Sequence, residues 1–595
     1  MTIDINPDLP QNYRRPGIFT SVRFTDAGAV APGKRCLMLG YKLPAGTASL
    51  NTPILPVNLA DAIAKFGAGS MLARMYAAAR TQGKYGAEIW CLPLPTPSGA
   101  AATHLIQFLA APNSDGTVGT NTTTQTVVTC SIYVGERGGS FSIQMGSTFA
   151  QAATLGKAML DGVSDLGVTV SISGDTLTLV DRSIGEHGTD MPVRVSFSNV
   201  TAKIAASPGS LLFASGPATG AGSATLQANA LSAQATIGAG STDAQSATAM
   251  ANKINSAGYC VSAALHSPTD GSVVLYYKQD RVAHQLSVSV NGITPQTLTA
   301  TVGTAGSGTP SISAALATLT ADSQAYKAWA IPFKDSANWS ALAAHIEAMS
   351  LSPVEKGQTA HGAISVPLAV YGVAPLSAAT TPKLSSSPRY CLDLVPGATV
   401  PAYEIAGRTA AMVAAADYAG QNFNGYQLLS SDTAPLGVPD RADRLIADDI
   451  EQALETYQLT PIVVDEDGLN AVERSTTTYK SLGTQDRKLE KWSCVLQLDF
   501  MRASLRYQLG KLFGGKSIKR YSAPRTSNAV EPANVKAAVY RIILGLDDLD
   551  LFDGARGARD AIMAGVYVTP TRVDVAMPLI PLSDLDQISV AGSAE

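Results

Sequence analysis

A nine-residue segment occurs twice in this chain and limits the folds that its middle third can adopt. Residues 146–154 read GSTFAQAAT and residues 240–248 read GSTDAQSAT, so that seven of nine positions agree at an offset of 94 residues. Each copy follows a strand-like stretch, runs into a helical pattern and leads to segments that alternate apolar and polar residues. A repeat of this kind predicts two copies of a small strand-helix-strand module.

The composition between residues 96 and 310 differs from that of the flanks. Charged residues are sparse there, and Thr, Ser, Gly and Ala dominate. Low-complexity disorder would give a similar composition. Alternating segments such as VTVSI, TLTLV and LSVSV favour folded strands instead.

Both flanks alternate strand-like and helical segments. On the N-terminal side, CLMLG (36–40) and AEIWCLPL (87–94) enclose a helical pattern at 59–80 that is interrupted between Gly67 and Gly69. The alternation returns after residue 320, with elements predicted at 335–349, 362–371, 389–395 and, after Pro401, 403–418. This order predicts a largely parallel sheet that is covered on both faces.

The chain becomes more charged after residue 440. Residues 441–457, RADRLIADDIEQALETY, predict a helix with one buried apolar stripe, composed of Leu445, Ile446, Ile450, Ala453, Leu454 and Tyr457. Its opposite side is acidic and carries Asp448, Asp449, Glu451 and Glu455. Two strands around a DEDG turn, a long amphipathic helix at about 491–512 and an α/β stretch at 535–568 follow.

These patterns predict an α/β (α+β) multidomain protein. Its discontinuous α/β core comes from both flanks, a β-rich insertion of two related strand-helix-strand modules interrupts the core, and the termini are extended arms. The expected divisions are an N-terminal arm (1–35), a first core segment of α/β type (36–95), insertion module one (96–215), insertion module two (216–310), an α/β domain (311–440), a C-terminal core domain (441–570) and a C-terminal arm (571–595).

The net charge and the arrangement of cysteines restrict the partners and the cellular compartment that we expect for this chain. The net charge of −4 gives no broad basic field for a phosphate backbone, so we expect no nucleic-acid partner. Six scattered cysteines without a CxxC pair are typical of a reducing compartment. Because neither a signal sequence nor an apolar run of membrane-spanning length is found, we expect a soluble protein, made in a cytoplasm, without direct membrane insertion.

The search for catalytic motifs gives one match. GKLFGGKS, residues 510–517, fits the phosphate-binding loop, in which Lys516 would hold phosphates and Ser517 a magnesium ion. A helical pattern precedes it and SIKRYSAPR follows, whereas a working loop needs a strand before and a helix after. A glycine helix stop is the favoured interpretation. The six histidines form no HExxH motif and the DEDG turn lacks calcium-loop ligands, so we expect no catalytic residues, cofactor or metal.

The two chain ends are extended segments without an evident partner. RRPGIFTSVRF (14–24) carries Ile18, Phe19 and Val22, and the C-terminal segment LDQISV carries Leu585, Ile588 and Val590. Pro578 and Pro581 prevent the C-terminal segment from simply continuing a sheet of its own subunit. Since an unpaired strand favours pairing with another chain, we predict that these residues form inter-subunit arms.

Several blocks of the flanks resemble, in order, the contractile tail sheath proteins of Mu-like bacteriophages. They are RRPGIFTSVRF, CLMLGYKLPAGTASLNTPI, KFGAGSMLARMYAAAR, AEIWCLPL, AWAIPFKDSANWSALAAHI, PAYEIAGRTAAMVAAA, LNAVERSTTTY and the helix ending MRASLRYQL. The resemblance covers about residues 10–95 and 320–590 and implies a virion tail protein, assembled in the host bacterial cytoplasm. It also implies a helical homo-oligomer of stacked rings that contracts around a tail tube, with baseplate and tail terminator proteins as further partners.

Two other functions remain open at this point, a nucleotide hydrolase that uses Lys516 and a tail adhesin that binds through the Ser/Thr-rich repeats. For a sheath subunit, the insertion is expected on the outer surface. Asp448, Asp449, Glu451 and Glu455 are then candidates for a polar contact with the tube, and a plain solvent-facing surface is the alternative.

Overall fold

The structure is a computed structural model. It describes residues 34–83, 86–228, 231–256, 259–279, 281–322, 324–333, 335–350, 356–365, 387–416, 419–430, 435–479, 488–519, 528–552, 554, 559–560, 563–566, 573–577 and 581–582. The chain divides into two compact units. The large unit comprises Gly33–Val495 and Asp586–Glu595, and the small unit comprises Met1–Pro32 and Leu496–Leu585.

The large unit begins with strand β1 (Arg35–Tyr41), helices α1 (Leu59–Phe66) and α2 (Met71–Gln82), and strand β2 (Glu88–Leu94). The side chain of Ser70 caps α2 by accepting a hydrogen bond from the backbone N–H of Ala73 at 3.2 Å. The predicted interruption of the helical pattern at Gly67 to Gly69 is therefore confirmed.

Module one of the insertion contains one α-helix, two short 3-10 helices and seven strands. Its elements are β3 (Thr103–Ala110), β4 (Val128–Val134), β5 (Arg137–Ile143), α3 (Phe149–Asp161), β6 (Val168–Ser173), β7 (Thr176–Asp181), β8 (Val193–Phe197) and β9 (Ile204–Ser207). They form two antiparallel sheets, in the orders β6-β7-β3-β9 and β8-β4-β5, around one apolar core.

Module two repeats this arrangement. Its elements are β10 (Gly209–Ala214), β11 (Gly222–Ala228), β12 (Leu231–Ile237), α4 (Asp243–Ser256), β13 (Val261–Leu265), β14 (Ser272–Tyr277), β15 (Val282–Ala283), β16 (Ser287–Asn291) and β17 (Thr297–Val302). Its sheets run β13-β14-β10-β17 and β12-β11-β16, which is the strand order of module one. The short strand β15 pairs with β8 and so joins a sheet of the first module. The two related modules predicted from the repeat are confirmed, but module two begins with β10, a few residues before the expected boundary at 215–216.

The sequence repeat marks the start of the helix in each module. The hydroxyl of Thr148 accepts a hydrogen bond from the N–H of Gln151, whose side chain accepts one from the N–H of Thr148. Thr242 and Gln245 make the same two bonds at the start of α4. This reciprocal capping box needs a hydroxyl and an amide three residues apart, which explains why these positions match in the two copies.

The remaining elements of the large unit again include helices that alternate with strands. They are α5 (Ser313–Ala321), β18 (Ala328–Ala330), α6 (Ser336–Ser350), β19 (Thr359–Ile364), β20 (Tyr390–Leu394), α7 (Ala402–Ala415), α8 (Ala447–Gln452), a π-helical turn (Ala453–Tyr457), β21 (Thr460–Val464) and β22 (Asn470–Val472).

One seven-stranded sheet unites both flanks, in the order β2-β1-β18-β19-β20-β21-β22. All pairs are parallel except the last, where β21 and β22 flank the DEDG turn as an antiparallel hairpin. Every residue of β18, β19 and β20 is buried, as expected for a parallel sheet covered on both faces. The predicted discontinuous α/β core is confirmed.

The chain enters and leaves the insertion side by side. The N–H of Ser307 donates to the carbonyl of Ala100 at 2.9 Å, and the N–H of Thr103 donates to the carbonyl of Thr304 at 2.8 Å. The two chain connections between the core and the insertion are therefore paired with each other.

The end of the chain belongs largely to the small unit. Helix α9 (Trp492–Phe513) begins in the large unit and continues into the small one. It is followed by β23 (Ser517–Ile518), β24 (Ala529–Val530), α10 (Pro532–Asp547), β25 (Met563–Val566) and β26 (Val573–Ala576). β23 pairs with β24, and β25 pairs with β26.

The helix predicted at 441–457 is shorter than expected, and its apolar stripe is only partly buried. It begins at Ala447, and Ile446 is 63% exposed although the pattern predicted burial. The N–H of Ile446 donates to the carboxylate of Asp449 at 3.2 Å, and this bond caps the N-terminus of the helix. The helical period alone does not reveal this cap.

We predict that the two helix caps of the repeat contribute equally to local stability. Thr148→Ala and Thr242→Ala should each lower the free energy of local opening of its helix by about 1 kcal/mol, because one cap bond is lost. Amide hydrogen exchange of α3 and α4 measures this. Thr154→Ala, an exposed position inside α3, is the matched control and should leave the exchange rates nearly unchanged. Equal effects of all three substitutions would contradict the prediction.

The core should fold without the insertion. We expect a chain in which a short glycine linker replaces residues 101–306 to remain soluble with the circular dichroism of an α/β protein, because the two attachment points are already in hydrogen-bond contact. Aggregation of this chain under conditions in which the full protein is soluble would show that the core requires the insertion.

Candidate functional site at the junction of insertion and core

The interface residues predicted from the sequence fall into two groups. The arm residues Ile18, Phe19, Val22, Leu585, Ile588 and Val590 lie outside the residues that the structure describes. The acidic residues lie on α8 and the π-helical turn after it, where Asp448 and Glu451 are exposed and Asp449 and Glu455 are half-buried.

A buried cluster of charges joins three distant segments of the large unit. The Nε of Arg74 on α2 donates to Oε1 of Glu404 at 2.8 Å, and Nη1 of Arg137 on β5 donates to the same oxygen at 3.0 Å. Arg408, one turn further along α7, donates to Oε2 at 3.4 Å. The side chains of Arg74 and Glu404 are 0% and 2% exposed. One carboxylate on α7 therefore binds the first core segment and the insertion together.

Electrostatics keep this carboxylate charged. Burial would raise the pKa of Glu404, but the guanidinium groups of Arg137, Arg74 and Arg408 outweigh burial and lower the pKa to about 2. Burial also lowers the pKa of Arg408, and Glu404 opposes that effect. The cluster is ionised throughout the physiological pH range.

The turn between β4 and β5 carries a second contact with the core. The carboxylate of Glu136 accepts hydrogen bonds from the N–H of Gly437 at 3.0 Å and from the hydroxyl of Thr399 at 3.3 Å. Module one thus places two consecutive charged residues, Glu136 and Arg137, against the core.

A loop of module one binds the interruption between α1 and α2. Asp165 accepts a hydrogen bond from the N–H of Gly69 at 2.6 Å and lies 3.5 Å from Arg137, while Arg182 donates to the carbonyl of Ala68 at 3.2 Å. The glycine-rich break therefore serves as a docking point for the insertion.

A group of histidines lies elsewhere along the junction. His104 contacts the carbonyl of Gly188 at 3.2 Å, and His284 of module two contacts the carbonyl of Asp190 at 2.9 Å. The ring of His187 packs against Tyr41 and Tyr403 of the core. Burial lowers the pKa of His104 to about 4, so this ring is neutral at pH 7.

The chemistry that these groups offer is structural. No three His, Cys, Asp or Glu side chains come together as a metal site within the described segments of the chain. In those same segments, no helix combines the length and apolarity needed to cross a bilayer. The six cysteines are buried, and burial raises the pKa of the Cys36 thiol well above its usual value.

The surroundings of Lys516 do not match a phosphate-binding loop. Helix α9 ends at Phe513, a turn at Gly514 and Gly515 follows, and β23 begins at Ser517. A helix before and a strand after is the reverse of the required order. The Lys516 ammonium lies 5.7 Å from the centre of the Phe513 ring.

The sequence contained a signal for the buried cluster that pattern analysis missed. Glu404 and Arg408 are opposite charges four residues apart inside an alanine-rich helix, and Arg74 interrupts a run of small and apolar residues. Charged residues on such helices are seldom fully buried unless they are paired.

We predict that Glu404→Gln destabilises the large unit by about 3–5 kcal/mol, because it leaves three arginines without their buried carboxylate. Chemical denaturation followed by tryptophan fluorescence measures this unit selectively, since Trp90, Trp329, Trp339 and Trp492 all lie in it. Glu88→Gln is the matched control: it removes an exposed ion pair with Arg35 and should cost less than about 1 kcal/mol. Similar losses from both variants would mean that the cluster has no special role.

A buried histidine should make the large unit sensitive to acid. Burial lowers the pKa of His361, on β19, to about 3. Between about pH 6.5 and 3, this histidine is therefore protonated in the unfolded chain and neutral in the folded chain. Stability therefore falls as pH falls through that window. His361→Phe keeps the aromatic contact with Trp492 and should reduce the slope by up to about 1.4 kcal/mol per pH unit. Phe423→Leu changes another ring that packs on Trp492 but removes no titratable group, so it serves as the control and should keep the wild-type slope.

Part of the chain is similar to a curated protein. No family model matches the chain. The Mu-like prophage FluMu tail sheath protein of Haemophilus influenzae is 29% identical over 202 residues, which is 33% of this chain and 38% of that protein. The match thus spans well under half of the relative's length.

Solved structures of sheath proteins align with most of the chain. The sheath tail protein of Desulfitobacterium hafniense is 12% identical and covers 95% of this chain and 100% of its own, with a TM-score of 0.41. The sheath tail protein of Listeria innocua is 10% identical and covers 93% of each chain, with a TM-score of 0.40. Over the aligned third of its sequence, the chain is similar to the tail sheath protein of a Mu-like prophage, which confirms the resemblance to this family of sheath proteins.

Proposed function

We propose that this chain is the structural subunit of a contractile tail sheath. In this role it polymerises as stacked rings around a tail tube and contracts to drive the tube through a bacterial envelope. The similarity to the FluMu tail sheath protein is the observation that carries the proposal. The proposed role is non-enzymatic, and the proposed location is the virion tail, after assembly in the host bacterial cytoplasm.

The architecture of the large unit supports a load-bearing role. Its sheet combines strands from both flanks, and an ion pair between Arg137 and Glu404 fixes the insertion to helix α7, which packs on that sheet. A subunit that moves as a rigid body during contraction needs connections of this kind within itself. We propose that the insertion, with its sparse charge, lies on the outer surface, away from the tube.

The terminal arms are proposed to connect neighbouring subunits. In the small unit, β25 and β26 pair only with each other among the strands described. A two-stranded sheet is marginally stable alone, and its edges accept further strands. Main-chain pairing with an arm of a neighbour persists when side-chain contacts are broken and remade.

The partners proposed for this subunit are further copies of itself, the tail tube protein, and the baseplate and tail terminator proteins. The acidic residues Asp448, Asp449, Glu451 and Glu455 remain the candidates from the sequence for a tube contact.

Electron microscopy of the purified protein tests the proposal. We expect long hollow polymers, because subunits of this class assemble by repeated head-to-tail contacts. Discrete particles at all protein and salt concentrations would contradict a sheath function and favour an adhesin.

Removal of residues 582–595 tests the arms. We expect a soluble chain with an unchanged melting temperature that no longer polymerises, because the proposed arm is lost while every helix and strand that the structure describes is retained. A chain that lacks only residues 591–595 is the matched control and should polymerise. If the longer truncation still forms sheaths, or unfolds, the arm assignment is wrong.

A further inference from the structure

The residues that the structure describes cover one edge of the seven-stranded sheet only in part. β2 is the first strand in the sheet order, and among these residues its outer side pairs with the chain at two points. Ile54 exchanges both main-chain hydrogen bonds with Cys91, and Asn51 donates to the carbonyl of Pro93. Two residues after Ile54 comes Pro56, which has no N–H and whose carbonyl accepts from Tyr76. The pairing therefore stops before Ile89.

An apolar groove opens where this pairing stops. It has a volume of about 870 Å³ and is lined by Leu55, Val57, Leu59, Ala77 and Ile89, among others. Val57 is 77% exposed, and Leu55 and Leu59 are also exposed. Three large apolar side chains exposed within five residues are typical of an interaction surface.

The groove carries one unbalanced positive charge. Asp61 pairs with Lys65 at 2.7 Å, and Glu88 pairs with Arg35 at 2.8 Å. Arg80, on the rim, donates to the carbonyl of Val57 and the hydroxyl of Tyr76, and no carboxylate among the described residues forms an ion pair with it. The surface therefore suits an apolar side chain that is accompanied by a carboxylate.

The opposite end of the sheet presents such a combination. β21 and β22 are the last strands in the order, and the π-helical turn that follows α8 contacts β21. At the start of α8, Ile446 is 63% exposed, and Asp448 and Glu451 are exposed three residues apart on one face. An exposed apolar residue and a carboxylate face thus lie beside the edge farthest from the groove.

We infer that residues 446–452 of a second copy of this chain dock in the groove beside β2. Ile446 enters between Val57 and Leu59, and a carboxylate of Asp448 or Glu451 pairs with Arg80. Because the two surfaces lie at opposite edges of one sheet, the contact is heterologous, and its repetition gives a closed ring or an open helical array according to the rotation between subunits. This inference deepens the proposed function, on which it rests, by naming a contact between subunits, and it assigns the acidic helix to that contact instead of to the tube.

Cysteine cross-linking of the full-length protein tests this contact. Equal amounts of the Val57→Cys and Ile446→Cys variants are mixed and oxidised, and we expect a covalent dimer on a non-reducing gel. The six native cysteines are buried, which keeps the background low. A mixture of Val200→Cys and Ile446→Cys is the matched control, since Val200 is 73% exposed and lies in module one, and it should give no dimer. Absence of the 57–446 dimer, or equal dimer from both mixtures, overturns the inference.

A charge exchange tests the role of Arg80. In the same assay, Arg80→Glu should remove most of the 57–446 dimer, and Glu451→Arg in the partner variant should restore it. If the dimer is insensitive to both changes, or if charge reversal at Asp448 and Glu451 alters assembly only when tail tubes are present, the assignment to a second copy is wrong. Electron microscopy of the wild type decides the proposed function separately. A specific 57–446 dimer without long polymers would keep the contact and refute the sheath.

Discussion

The paired charges around Glu404 are the interaction on which the large unit depends. One carboxylate binds an arginine from α2, one from the insertion and one from its own helix. Hydrogen bonds between charged groups are strong and directional, so each of the three segments can take only one orientation. Apolar packing alone would leave more freedom at this junction, because the hydrophobic effect has no direction.

Local patterns in the sequence predict most of the fold. The alternation of strands and helices in the flanks gives the parallel sheet, since buried parallel strands read as apolar runs such as RCLMLGY at β1. The repeat gives the two modules, because a capping box needs the same side chains wherever it is used. The start of α8 escaped prediction because the Asp449 cap competes with the helical period.

The junction could not be predicted from spacing. Arg74 and Arg137 lie 330 and 267 residues from Glu404, and no local pattern connects residues so far apart. The groove beside β2 also depends on tertiary structure, because Leu55, Val57 and Leu59 read as ordinary core residues until the sheet order makes β2 an edge strand. In both cases the sequence supplied the residue types, and only the topology brought them together.

The side-by-side entry and exit of the insertion has a mechanical consequence. Tension applied between the two flanks of the chain passes across the hydrogen bonds that join Ala100 to Ser307 and Thr103 to Thr304. The roughly two hundred residues between these points form a loop that the force bypasses. They carry no tension until those bonds break. Those parts of the insertion that do not contact the core can therefore differ in size or sequence without changing the stiffness of the core along its backbone.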